Sequence, residues 1–288
     1  MALTRSDTHT DTPPWKRPRV EGEEVHPRDA RIVFEPEGHK YFVDGVPVDI
    51  SVTGLWVQYF PRFEAEETIE RSFNMWKTQV HSKYYNLLQY LELVEGLDDL
   101  AQKKAIAALW EANGANAAAK GTRMHVQIEA FLKGKETESE AVSPEMAQFH
   151  EWRSEWAGDL SVYRTEWAIF DEAAKVAGMI DSVWKDEKGR LIIVDWKRCK
   201  PNGKKGLSPE DPSYGRKGLV HCDTLPDNKY SHYSVQLNLY KRILERCYGL
   251  TVHAMYLAQF HPDLKKYHCV EVPPLVEMAD KILTGRKE

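Results

Sequence analysis

Two carboxylates, Asp181 and Asp195, have the type and the spacing to hold a metal ion, with the ammonium of Lys197 beside them. Asp195 and Lys197 follow an apolar run at residues 191–194, which predicts a central strand buried on both faces. Side chains at i and i+2 of a strand share one face, so these two should project together. We expect the preceding strand to end near Asp181 and to run antiparallel to this one. Two carboxylates and one ammonium would then meet at the edge of the sheet.

Two carboxylates this close would repel each other and raise each other's pKa unless a cation lies between them. A hard divalent cation with oxygen ligands meets that need. Lys197 could then neutralise charge on a phosphoryl oxygen or help to orient a water molecule. The alternative is an ordinary salt bridge between neighbouring strands.

The Asp-x-Lys tripeptide alone is a weak signal, because the chain contains it four times. The copies at 186–188, 227–229 and 263–265 fall in predicted turns or loops, where a solvated charge pair is expected. Only the copy that contains Asp195 ends a continuous apolar run, so the metal site is predicted there.

Hydrophobic periodicity predicts the elements that would position these residues. A small β-meander is expected near residues 32–48, and residues 64–132 are helical, with Gly121 separating a helix at 98–120 from one at 122–132. From residue 143 onward the predicted order is a helix, strands at 161–170, 175–185 and 190–196, a loop at 200–228, a helix at 230–247, strands at 251–260 and 267–272, and a short terminal helix.

These elements predict three regions in the 288 residues. Residues 1–29 are rich in Thr, Pro and charge and are expected to be a disordered leader. Within them, Lys16-Arg17-Pro18-Arg19 fits a minimal nuclear-import pattern. Residues 30–142 would form a β-meander and a helical region, and residues 143–288 the core of one composite domain. The predicted class is α/β (α+β).

The composition is that of an ordinary globular chain, with 42% hydrophobic and 29% charged residues. We expect no membrane span, since no apolar run reaches about 18 residues. The four cysteines (Cys199, Cys222, Cys247 and Cys269) show no close pair, which predicts reduced thiols and an intracellular protein. The net charge of −5 argues at first against nucleic acid as a partner, but residues 197–229 hold eight Lys/Arg and four Asp/Glu.

Gly178-x-x-Asp181 followed by Asp195-x-Lys197 resembles the core of the PD-(D/E)XK nucleases, specifically their RecB-like branch. That branch includes mitochondrial genome maintenance exonuclease and phage lambda-type exonucleases. The resemblance implies a restriction-endonuclease-like core, a central mixed sheet flanked by helices, here with a helical N-terminal elaboration.

Further signatures of the branch occur in the expected order, and the similarity spans residues 121–260. Gly121-Thr122-x-x-His125 resembles its upstream Gly-x-x-x-His helix, and Gln236-x-x-x-Tyr240 resembles the helix motif after the catalytic lysine. Glu166 takes the place of an additional acidic residue, although alternation along its strand makes the opposite face the buried one.

The resemblance implies a role for each matching residue. Asp181 and Asp195 would be metal-binding carboxylates, the carbonyl of Trp196 a backbone ligand, and His125 a further ligand. Lys197 would be the catalytic lysine. Mg²⁺ or Mn²⁺, as one or two ions, is the implied cofactor, since an imidazole ligand makes Mn²⁺ as plausible as Mg²⁺.

Gln236 and Tyr240 lie one helical turn apart and would face the same site, touching substrate or the lysine; the alternative is a helix flank. Glu166 would be a further catalytic carboxylate. Nucleic-acid contacts are predicted for Arg123 and for the basic loop, which contributes Arg198, Lys200, Lys204, Lys205, Arg216 and Lys217.

The implied activity is metal-dependent hydrolysis of phosphodiester bonds in DNA, by in-line attack of an activated water, leaving 5′-phosphate and 3′-hydroxyl ends. Exonuclease action on DNA ends or single strands is favoured. A structure-selective endonuclease and a non-cleaving nucleic-acid-binding subunit are the alternatives. The chain lacks a Walker motif and close cysteine sets, so we expect no bound nucleotide and no iron–sulfur cluster.

Overall fold

The computed structural model describes residues 24–135, 142–203 and 205–285. The chain divides into two units: unit 1 joins the chain up to Phe60 to the chain from Val126 onward, and unit 2 is Pro61–His125. This division differs from the predicted one at residue 142, because the β-meander belongs to the same unit as the later strands. Among the described residues, no helix is long and apolar enough to cross a membrane.

Unit 1 begins with a 3-10 helix at Pro27–Arg31, followed by a three-stranded antiparallel sheet. The strands are β1 (Ile32–Glu35), β2 (Lys40–Val43) and β3 (Val46–Pro47). This confirms the predicted meander. The predicted disordered leader extends too far, however, since its last residues are ordered; the proposed import pattern at Lys16–Arg19 lies outside the described residues.

A six-stranded mixed sheet forms the centre of unit 1. Its strands are β4 (Ile50–Ser51), β5 (Ser161–Asp171), β6 (Val176–Lys185), β7 (Leu191–Lys197), β8 (Val252–Gln259) and β9 (His268–Glu271). The order is β4-β6-β7-β8-β9, and β5 pairs with β6 along its length. The β5–β6 and β6–β7 pairs are antiparallel, whereas β7 and β8 are parallel.

Helices cover this sheet, which confirms the predicted α+β class. They are α1 (Val52–Val57), α5 (Pro144–Glu155), α6 (Lys229–Cys247) and α7 (Val276–Thr284). The inner side of α6 buries Leu237, Leu239 and Ile243 in the main core. Trp152 of α5 packs 5.0 Å from the ring of Trp196 on β7, between centroids. Burial of these large apolar side chains fixes the sheet between its helices.

Unit 2 contains α2 (Ala65–Thr78), α3 (Tyr85–Leu93) and most of α4 (Asp99–Leu132). Helix α4 is continuous, so the predicted break at Gly121 is wrong; an isolated glycine costs a helix only about 1 kcal/mol. The rings of Trp76, Tyr84 and Trp110 pack on one another, and Trp110 Nε1 donates to Tyr84 Oη at 2.6 Å.

Candidate metal and active site

Three carboxylates stand side by side on three neighbouring strands of unit 1. Thr165 pairs with Ser182 and Trp167 with Ile180, which sets Glu166 opposite Asp181 across β5 and β6. Ser182 pairs with Val194, so Asp181 in turn stands next to Asp195 across β6 and β7. The strand pairing therefore places Glu166, Asp181 and Asp195 in one row across the sheet.

The hydrogen-bonded pairing between β6 and β7 ends next to this row of carboxylates. Regular pairing between β6 and β7 ends at Ser182 and Val194, although β6 itself continues on both sides of Asp181. Beyond that point the Asp181 carboxylate accepts a hydrogen bond from the Trp196 backbone amide at 2.8 Å. The prediction that the strand ends near Asp181 is wrong, because β6 continues past this residue. The pairing of β6 with β7, however, does end next to Asp181. A carboxylate takes the place of a backbone carbonyl there.

Lys197 is held by the groups around its ammonium. Its Nζ lies 2.5 Å from Asp195 Oδ2 and 4.5 Å from the centroid of the Tyr233 ring. Burial disfavours the charged form of Lys197, but the charges of Asp195 and Asp181 outweigh it and raise the lysine pKa above its usual value. The ammonium therefore stays protonated at neutral pH.

Helix α6 brings Gln236 and Tyr240 to the same place. Lys197 Nζ donates to Gln236 Oε1 at 3.4 Å, and Gln236 Nε2 lies 3.1 Å from Tyr240 Oη and 3.4 Å from Thr53 Oγ1. The predicted pair thus belongs to the hydrogen-bond network of the lysine rather than to an unrelated helix flank. Thr53 and Tyr233 were not predicted; Tyr233 sits three positions before Gln236, which was the available signal.

Glycine at position 178 is required by the packing of this network. A Cβ atom on Gly178 would lie 2.7 Å from Tyr240 Cε1 and 2.9 Å from Val52 Cγ2. Ordinary van der Waals contact begins at about 3.5 Å, so neither ring nor methyl leaves room. The first residue of the Gly-x-x-Asp motif therefore lets α6 and α1 approach β6 closely.

Glu166 departs from the regular strand around it. The ladder between β5 and β6 shifts register between Val162 and Arg164, and Glu166 has a φ of 45°, in the left-handed region. The expected alternation nevertheless holds from Thr165 to Ile169, where the face opposite Glu166 is the buried one and Glu166 is half-buried. The Glu166 carboxylate comes near that of Asp181.

Within unit 1, carboxylate oxygens of Glu166 and Asp181 lie within 4.8 Å of each other, so this pair could share a metal ion. His125 is half-buried on α4. Trp196, whose carbonyl was a predicted ligand, is buried and has its peptide amide at Asp181. Imidazole and carboxylate donors are the set that Mn²⁺ and related divalent cations accept.

The predicted basic residues divide by their surroundings. Arg198 is not a free surface cation: its Nε lies 2.7 Å from Glu145 Oε1, with both side chains largely buried. Arg216 pairs with Asp227 at 3.1 Å but remains 54% exposed. The other described members, Arg123, Lys200, Lys205 and Lys217, are exposed, and Lys204 lies outside the described residues.

Burial disfavours the charged form of the Asp181 carboxylate in the metal-free protein. It raises the pKa of Asp181, and the lowering effects of Lys197, the Trp196 amide and Asp195 do not cancel it. A carboxyl whose folded pKa is raised stabilises the fold below the unfolded value of 3.8, and loses that contribution as the pH rises through the folded pKa.

Asp181→Asn should therefore stabilise the metal-free protein at pH 7 by about 1 kcal/mol and have little effect below about pH 3.8. With Mn²⁺ at 100 times its Kd, the wild type should instead gain about 2.7 kcal/mol that the variant lacks. Urea denaturation of both proteins, with chelator and with Mn²⁺, measures the two effects. A variant less stable than wild type without metal would contradict the first.

No family model matches this chain, and no curated protein matches it. Among solved structures, a chain described as "Crystal structure of SSO0001" is similar with 16% identity, over 76% of this chain and 84% of that chain. Its TM-score is 0.27, which is too low to indicate a shared fold or function.

Proposed function

We propose that this chain is a metal-dependent deoxyribonuclease of the RecB-like PD-(D/E)XK branch, with a restriction-endonuclease-like core. It hydrolyses phosphodiester bonds at DNA ends or in single strands, as an exonuclease, and leaves 5′-phosphate and 3′-hydroxyl ends. The observation that carries the proposal is the row of Glu166, Asp181 and Asp195 with Lys197 bonded to its last member.

The charge of this row fits a divalent cation. Three carboxylates, of which Asp195 is buried and Glu166 and Asp181 are half-buried, leave with one ammonium a formal charge of −2. Such a charge is stable only when protonated or paired with a cation. The hard oxygen donors of Glu166, Asp181 and Asp195 suit Mg²⁺ or Mn²⁺. The resemblance to the RecB-like branch adds the imidazole of His125 as a ligand, which makes Mn²⁺ as plausible as Mg²⁺.

Each protein group then has a task in hydrolysis. When bound, the metal ion activates water and offsets charge on the phosphate. Lys197 brings a permanent positive charge to the same place, where it can stabilise the charge that grows on a phosphoryl oxygen. Asp195 and Gln236 fix the position of that ammonium. Tyr240 and Thr53 in turn orient Gln236.

The basic loop supports DNA as the substrate. Its exposed members Lys200, Lys205 and Lys217 are available to phosphates, and Arg216 is partly so. Phosphate binding needs only such a local basic surface, even on a chain with a net charge of −5. An intracellular location, expected from the spacing of the four cysteines, is part of this proposal.

The test uses the full chain with Mn²⁺ or Mg²⁺ on end-labelled linear DNA and covalently closed circles, each single- and double-stranded. We expect degradation of linear DNA, loss of activity with chelator, and loss in Asp195→Asn. Asp263→Asn is the matched control, because it alters another Asp-x-Lys copy in an exposed loop.

Cleavage that persists in Asp195→Asn, while the control behaves like wild type, would overturn the assignment. Nicking of closed circles would identify an endonuclease instead. Metal-dependent DNA binding without cleavage would identify a non-cleaving subunit. Labels at the 5′ and 3′ ends, followed over time, give the polarity.

A further inference from the structure

The chain that precedes β1 fastens the strand that carries Glu166. Residues 24–31, here named the strap, lie along β5 and the end of α6. Glu24 contributes its backbone carbonyl, which accepts from Arg164 at 2.8 Å, and its carboxylate, 2.8 Å from Lys185 Nζ. His26 Nε2 lies 3.2 Å from the carbonyl of Tyr248.

Asp29 makes the central contact between the strap and β5. Its two oxygens accept from Arg164 Nη1 at 2.7 Å and from Trp167 Nε1 at 2.8 Å. The Asp29 and Arg164 side chains are only 6% and 8% exposed, so the ion pair is largely shielded from water. One buried carboxylate thus accepts hydrogen bonds from residues of β5 on both sides of Glu166.

The conformation of Glu166 depends on these hydrogen bonds for two reasons. Its φ of 45° is unfavourable for a residue with a side chain, and such conformations persist only where the surroundings enforce them. It also lines a cavity of about 610 Å³, together with Asp29, Arg164, Trp167 and other residues. Packing beside this part of β5 is therefore incomplete, so its position depends on the contacts that Asp29 makes.

We propose that Asp29 is a positioning residue that holds Glu166 toward Asp181 and so contributes to metal affinity through β5. This inference rests on the proposed metal-dependent function. Groups that orient metal ligands without touching the metal commonly change affinity by about 10- to 100-fold. Asp29 would act in this way across 135 positions of sequence.

The experiment measures the Kd for Mn²⁺ by counting free Mn²⁺ with electron paramagnetic resonance, in proteins shown to be folded by circular dichroism. Asp29→Asn should weaken Mn²⁺ binding by about 10-fold or more. Trp167→Phe, which removes one donor but keeps an aromatic ring, should weaken it in the same direction. Asp44→Asn is the control, because the Arg31–Asp44 pair joins the strap to the exposed end of β2.

A double-mutant comparison separates positioning from a general loss of stability. If Asp29 acts through Glu166, Asp29→Asn should cause no further loss of Mn²⁺ affinity in a Glu166→Gln background. A full additional loss there, or an unchanged Kd in Asp29→Asn while Glu166→Gln binds weakly, would overturn this inference and leave the proposed function standing. A wild type that binds no Mn²⁺ would overturn both.

Discussion

Lys197→Met is expected to lower the rate of DNA cleavage at saturating substrate by about 10³-fold. Methionine keeps much of the aliphatic length of lysine but lacks the charge that Asp195 and Gln236 hold in place. The charge matters most when the phosphate becomes more negative in the transition state, so the loss should appear in kcat rather than in KM. Steady-state kinetics on end-labelled DNA with Mn²⁺ measure it.

Lys265→Met is the matched control, since Lys265 belongs to another Asp-x-Lys copy and is exposed. It should behave like wild type. Lys197→Met also leaves Asp195 buried beside Asp181 without its ammonium, so the thermal midpoint must be measured with and without Mn²⁺. A folded Lys197→Met protein that retains more than a tenth of the wild-type kcat would contradict the proposed role.

Gly178→Ala is expected to lower the free energy of unfolding by about 1–3 kcal/mol, because one added methyl overpacks a core without space. The atoms in the way belong to Tyr240 and Val52, on two helices that cover β6. Since Tyr240 bonds Gln236, the shift should also reach Lys197 and reduce kcat. Urea denaturation and steady-state kinetics measure the two effects.

Gly114→Ala offers a control of opposite sign. Gly114 lies in the exposed middle of α4, where a Cβ would meet nothing within 4 Å. Alanine there should stabilise the protein by about 1 kcal/mol, because it is the better helix former. A Gly178→Ala protein as stable as wild type would show that α6 can move away from β6 without cost.

Local patterns in the sequence were enough to predict most of unit 1. The apolar run before Asp195 identified β7, and the i, i+4 spacing of Gln236 and Tyr240 placed both on one side of α6. These predictions succeeded because each depends on residues a few positions apart.

The failures involve contacts that local patterns do not contain. Strand alternation correctly placed Glu166 on the less buried face of β5, but it did not indicate the left-handed backbone at Glu166 or the approach of its carboxylate to Asp181. Arg198 was counted with the basic loop, although its partner Glu145 lies 53 positions earlier. The leader was extended to residue 29 because nothing near Asp29 in sequence indicates its bond to Arg164.

The contacts of the strap determine when part of the protein can fold during its synthesis on the ribosome. Its residues are synthesised before β5 and α6, and His26 bonds a carbonyl that is added 222 positions later. Domains generally fold as units while synthesis proceeds from the N-terminus, and contacts this distant in sequence form slowly. The contact between His26 and Tyr248 would therefore form only after Tyr248 has emerged, whereas the contacts of Asp29 need only β5. A nascent chain cut short before Tyr248 would hold β5 through Asp29 alone, so the proposed metal site would be fully supported only after Tyr248 has been added.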